Sequence, residues 1–134
     1  MARRHQRGFT LTEVIITVLI VAIMASIAIP QYGKTVRRSH WRSTRDLLQV
    51  VYSGQQVYWT ANNTYKVCAI PADWAAIYVD DPNTGSEMPV TLAVATNGAI
   101  GAAATFTATA TYTPTGETQT VNQTRTFGGT WAMP

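Results

Sequence analysis

Cys68 is the single cysteine of this 134-residue chain, so no disulfide can form within one copy. Any globular part must hold through packing and hydrogen bonds, or through neighbouring copies. Cys68 itself suits a small buried apolar role better than that of a reactive thiol. Histidine is nearly as scarce, with only His5 and His40. There is no Cys–His pairing, no metal-ligand spacing and no glycine-rich phosphate loop behind a strand. Gly128-Gly129 reads as a turn. The residues therefore offer no catalytic constellation, no metal site and no cofactor site, which argues against an enzyme.

Charge is missing from one long stretch. From Phe9 to Ile29, Glu13 is the only charged side chain. A helix of that length spans roughly 31 Å, about one bilayer hydrocarbon core. Thr10, Thr12, Thr17 and Ser26 are tolerable there because hydroxyls bond back to carbonyls one turn earlier. A carboxylate in such a segment is costly, so it is read as functional and in need of a partner, unless it snorkels to the membrane surface. Arg3, Arg4 and Arg7 form a short basic head in front. A secretory signal peptide also has a basic head, and Ser26-Ile27-Ala28 can serve as its cleavage site. Against that reading stand the length of the apolar middle and the glutamate near its start.

The run Gly8-Phe9-Thr10-Leu11-Thr12-Glu13, followed by the apolar stretch and Pro30, resembles the prepilin signature shared by type IV pilins and type II secretion pseudopilins. The likeness covers residues 3 to 32. It implies that a prepilin peptidase cuts between Gly8 and Phe9 and methylates the new amine of Phe9, and that Glu13 becomes the fifth residue of the mature chain. Glycine lacks a Cβ, so a protease can approach it closely. The freed amine is mostly protonated at neutral pH. In a filament of staggered copies, that amine can meet Glu13 of a neighbour. Two unit charges at 4 Å attract by about 4 kcal/mol at an effective dielectric near 20, before desolvation. The resemblance also implies an assembly ATPase and a platform membrane protein as partners. Many pilins close a C-terminal loop with a disulfide, and this chain cannot.

The formal charge of +3 is partly a property of the precursor. Removing a leader of residues 1–8 takes Arg3, Arg4 and Arg7, leaving seven basic and seven acidic side chains. The basic excess is therefore no argument for nucleic acid. The positive-inside rule counts charges at both membrane ends. Three leader arginines face Lys34, Arg37, Arg38, Arg42 and Arg45, so counting alone would put the leader outside. The resemblance requires it in the cytoplasm, where the peptidase acts.

Beyond Ile29, Pro30 removes one N–H from the helical ladder and should bend the helix without ending it. No proline follows until Pro71, and the pattern stays helical to about Thr60. Leu47, Val51 and Tyr58 lie near one stripe, as do Leu47, Val50, Gly54 and Val57, and such a stripe should dock on a sheet. Arg38, Arg42 and Arg45 share one helical face. That face is open to three readings: an ion-pairing face between copies, contact with lipid headgroups, or contact with DNA phosphates.

Residues 61–89 read as a connecting region. Within it, Pro71 to Tyr78 is a candidate short helix with Pro71 in its first turn. Asp80 to Glu87 clusters oxygen ligands, but without EF-hand order, and ordinary turn chemistry competes with a calcium site. Asn62-Asn63-Thr64 and Asn122-Gln123-Thr124 match the glycosylation sequon.

Residues 90–134 are β-like. Val90 to Thr96 alternates loosely and Asn97-Gly98 marks a turn. In Ala102 to Thr113, Phe106, Ala108, Ala110 and Tyr112 share one face and threonines the other. Pro114-Thr115-Gly116 is a second turn, and Thr118 to Phe127 a third strand with Val121 and Phe127 on one face. Trp74 and Trp131 should supply the bulk that an alanine-rich inner face lacks.

The expected fold is α+β: a long kinked N-terminal spine helix packed on a small three- to four-stranded antiparallel sheet, pilin-like. Its expected divisions are a leader 1–8, a transmembrane and assembly helix 9–30, and a globular domain 31–134. The expected function is a subunit of a type IV pilus-like homopolymer. It would lie in the inner membrane as a single-pass precursor and then in an extracellular filament. The alternatives are a type II secretion pseudopilin, forming a periplasmic pseudopilus, and a secreted or single-pass binding domain.

Overall fold

The computed structural model describes residues 8–85 and 88–133. The expectations placed on Arg3, Arg4, His5 and Arg7, and on Glu87, lie outside those residues. The chain forms two compact units, one ending at Arg37 and the other starting at Arg38.

Helix α1 runs from Leu11 to Asn62 with Pro30 inside it. The Thr10 hydroxyl caps its start, accepting the Glu13 N–H at 3.2 Å. Thr10 and Glu13 thus stand at the N-cap and N3 positions of a Thr-x-x-Glu pattern. In the first unit, Thr17 and Ser26 donate their hydroxyls to the carbonyls of Val14 and Ile23 at 2.8 and 2.7 Å, which satisfies them inside an apolar stretch. The helix ends where Asn63 turns left-handed (φ 57) and donates its N–H to the Trp59 carbonyl, a cap that asparagine tolerates.

The second unit holds the core. A short helix α2, Pro71–Ala76, begins with proline as expected. Strands β1 (Val90–Thr96), β2 (Phe106–Tyr112), β3 (Glu117–Asn122) and β4 (Phe127–Gly128) form one antiparallel meander in chain order. Leu48 and Val51 of α1 pack with Phe106, Ala108, Ala110 and Val121 of the sheet, and Trp74 and Trp131 fill out the same core. The inner face of β2 is the predicted one.

Two expectations are corrected, the second only in part. The third strand is not continuous. Asn122 accepts the N–H groups of Thr124 and Thr126 on its side-chain oxygen, and Arg125 turns left-handed (φ 59). The chain reverses there, so Val121 and Phe127 share a face as cross-strand partners rather than along one strand. Of the two expected stripes of α1, Leu47, Val51 and Tyr58 do pack in or against the core. The second holds only at Leu47 and Gly54, because Val50 and Val57 are half exposed, and the polar residues Thr44 and Gln55 are buried beside Leu48, Val51 and Gly54.

Gly54 is where α1 comes closest to the connecting region. A Cβ there would lie 2.5 Å from the Ile77 carbonyl oxygen and 3.0 Å from Val79. A Cβ on Gly33 would meet nothing within 4 Å. Alanine normally favours a helix over glycine by about 1 kcal/mol. Gly33→Ala should therefore leave the full chain in detergent as stable or more so. Gly54→Ala should destabilise it by about 1–3 kcal/mol through overpacking. Thermal unfolding followed by circular dichroism checks this, and a midpoint unchanged by Gly54→Ala would refute the close approach.

Candidate functional site

The N-terminal junction is built from few parts. Phe9 is 79% exposed. Gly8 has no atom within 4 Å of where its Cβ would stand, so the packing of the chain makes no demand for glycine there. Glu13 lies in the first turn of α1, where the helix dipole favours a negative charge. Behind it, large apolar side chains such as Leu19, Val21, Met24 and Ile29 are all more than half exposed. By length and composition the helix can cross a membrane, and none of its most apolar window is covered within the chain. The capping role of Thr10 follows from its Thr-x-x-Glu spacing to Glu13.

Elsewhere the structure redistributes the candidates. Arg42 is exposed, but Arg45 is half-buried, with its guanidinium carbon 4.3 Å from the Phe127 ring centre and 5.4 Å from that of Trp41. The basic face thus divides between solvent and an aromatic corner. In the Asp80–Glu87 region, Asp81 accepts from the Asn83 N–H and the Thr84 hydroxyl. Those are the bonds of an ordinary turn. Among the described residues no group of three or more His, Cys, Asp or Glu is placed to hold a metal ion. Both sequon asparagines work in local structure, Asn62 donating to the Tyr58 carbonyl and Asn122 closing the β3–β4 turn.

Gln55 is the residue that sequence reading missed. Fully buried, it donates to the Lys66 carbonyl at 2.7 Å and accepts the Lys66 N–H at 2.9 Å. Its carboxamide therefore pairs with the loop as a strand neighbour would. Cys68 lies alongside, fully buried, with its sulfur 3.5 Å from Gln55 Nε2. Lys66 and Asp73 form a partly exposed ion pair at 3.2 Å. Its hydrogen bond raises the Lys66 pKa, while the Ala69 N–H and Lys66 together lower that of Asp73. Burial first, and then the Asp73 charge, push the Cys68 thiol up to about 11.

Comparison with known proteins finds two likenesses. Residues 3–29 match the prokaryotic N-terminal methylation motif. Over 61 residues the chain is 37% identical to the type IV major pilin protein PilA of Myxococcus xanthus (strain DK1622). That match covers 46% of this chain and 28% of that pilin. No solved structure matches the chain. The two matches show a likeness to type IV pilins over part of the chain.

The thiol gives a direct test of the buried loop pairing. Cys68 keeps its proton in the folded chain up to about pH 11, while an ordinary thiol loses it near 9.0. Below pH 9 this has no effect on stability. Between pH 9 and 11 the unfolded chain releases the proton first, so stability should fall as pH rises. At pH 8, Ellman's reagent should label native Cys68 at least roughly 100-fold more slowly than the chain in denaturant. Gln55→Leu, which strands the Lys66 N–H and C=O, should accelerate that labelling. Equal rates in native and denatured chain would refute the burial.

Proposed function

We propose that this chain is the structural subunit of a type IV pilus-like filament. It is made as a single-pass precursor in the inner membrane, cut between Gly8 and Phe9, methylated on Phe9 and polymerised through α1. A single observation carries this reading. An uncovered apolar helix, with a lone carboxylate in its first turn, sits directly behind the Gly8-Phe9 bond and within the matched methylation motif. The exposed apolar surface needs lipid first and other copies later. A glycine that the fold does not require is the kind of residue a processing enzyme requires instead.

Glu13 then sets the register of assembly. Left alone in lipid it is penalised. Paired with the Phe9 amine of a neighbouring copy it gains about 4 kcal/mol of attraction before desolvation, so the stagger that forms the pair is favoured. Pro30 lets the helix bend between its membrane part and its globular part. An assembly ATPase and a platform membrane protein would lift each copy from the bilayer, with the globular unit coating the filament. The related PilA is by name a major pilin, which favours a pilus over a pseudopilus.

Intact mass and N-terminal sequencing of protein from native membranes test the processing. The expected chain begins at N-methylated Phe9. A start near Ile29, or an unmodified Met1, would return the chain to a secreted or anchored domain. Glu13→Val should leave cleavage intact while sheared filament yield falls at least roughly tenfold, as expected if even a third of that attraction is lost. Unchanged filament yield would remove Glu13 from assembly.

A further inference from the structure

A cavity of about 190 Å³ lies on the second unit, lined by Trp41, Arg45, Gln119, Phe127, Trp131 and the Gly128-Gly129 turn. We infer that it binds the carboxylate of an acidic sugar, such as a uronic acid residue, with Arg45 as the anion-binding group.

The electrostatics point to an anion. Arg45 is held by rings, not by acids. Its guanidinium stands over Phe127 and Trp41, and among the described residues no carboxylate pairs with it. Stacking covers the faces of a guanidinium and leaves its in-plane N–H groups to donate, the geometry that matches a carboxylate fork. Another lining residue carries an unmet donor. Trp131 is 4% exposed, and its Nε1–H is buried with no acceptor. Such a stranded donor is uncommon, since buried polar groups are nearly always bonded.

The walls choose the rest of the ligand. Two rings hold the cation and a third, Trp131, lines the same cavity, and the negative faces of such rings attract the polarised C–H bonds of a sugar. A phosphate dianion would call for a second cation, and among the described residues no other cationic side chain lines the cavity. Its volume is below the roughly 300–1,000 Å³ of sites for drug-sized ligands, so it takes one ring and not a chain. The walls are also cross-braced. Trp41 Nε1–H donates to the Trp131 carbonyl at 3.0 Å, Gln119 donates to the Trp41 carbonyl at 3.2 Å, and Trp131 stacks on Tyr112 at 4.5 Å. A site held this way does not have to be ordered by its ligand.

Because Trp41 and Trp131 line the cavity, tryptophan fluorescence of the full chain in detergent reports binding. Titration with D-glucuronate should saturate, with D-glucose and acetate each at least about tenfold weaker, since one lacks the charge and the other the ring. Arg45→Gln should weaken glucuronate binding at least about tenfold. Arg45→Lys, which keeps the charge but loses the fork, should weaken it several-fold and serves if the glutamine variant misfolds. Arg42→Gln, on the exposed part of the same helix, should bind as the parent does. Absence of saturation by glucuronate, equal binding of glucose or acetate, or full affinity in Arg45→Lys would each overturn the assignment.

Discussion

The outer edge of β1 presents the N–H and C=O groups of Leu92 and Val94, and a bare strand edge is a template for unwanted pairing. Here each is covered by a different device. Asn83 folds its carboxamide onto Leu92, donating to the carbonyl at 2.9 Å and accepting the N–H at 2.7 Å. Cys68 exchanges two backbone bonds with Val94. The loop carrying Cys68 is pinned in turn by Gln55 of α1 through Lys66. One side chain on the helix therefore fixes the segment that closes the β1 edge of the sheet. A chain with no disulfide gets from three carboxamide and backbone pairs the cross-linking that a cystine gives elsewhere.

The first unit stands under the opposite constraint. Among its described residues none is buried, and from Leu11 to Ile29 its valines, leucines and isoleucines are uncovered. Each helical hydroxyl on Thr17 and Ser26 is already satisfied by the helix itself, which leaves a cylinder from Phe9 to Ile29 with the single charged side chain Glu13 near one end. Such a surface is at rest only in lipid or against other apolar helices. In the proposed filament the same side chains serve both settings in turn, and Glu13 distinguishes them, because only the second supplies a counter-charge.

Arg45 illustrates how a fold can change the meaning of a charge. On the helix it belongs to a basic stripe with Arg38 and Arg42. In the folded unit the β4 strand brings Phe127 over it, and the C-terminal segment brings Trp131 beside it. The tight turn at Asn122 and Arg125 is what delivers Phe127 there, so the corner depends on the strand break that periodicity did not reveal.

The N-terminal third was legible because its signals are local. Helix length, hydrophobicity, the Thr10 and Glu13 positions, Gly8 and Pro30 are all properties of adjacent residues, and so were the alternation of β1 and β2 and the proline start of α2. The sequence by itself thus determined the α+β class, the spine helix and the match to the N-terminal methylation motif. What it could not determine were pairings between residues far apart in the chain. The burial of Gln55 and Thr44, the Asn83 and Cys68 closures of β1, and the Trp41–Arg45–Phe127–Trp131 corner all join segments with no local pattern to announce them. Polar residues such as Gln55 look solvent-bound until a backbone partner eleven residues away satisfies their hydrogen bonds. Only the tertiary structure provides that partner, because desolvating a carboxamide is tolerable only where both its donor and its acceptor are met.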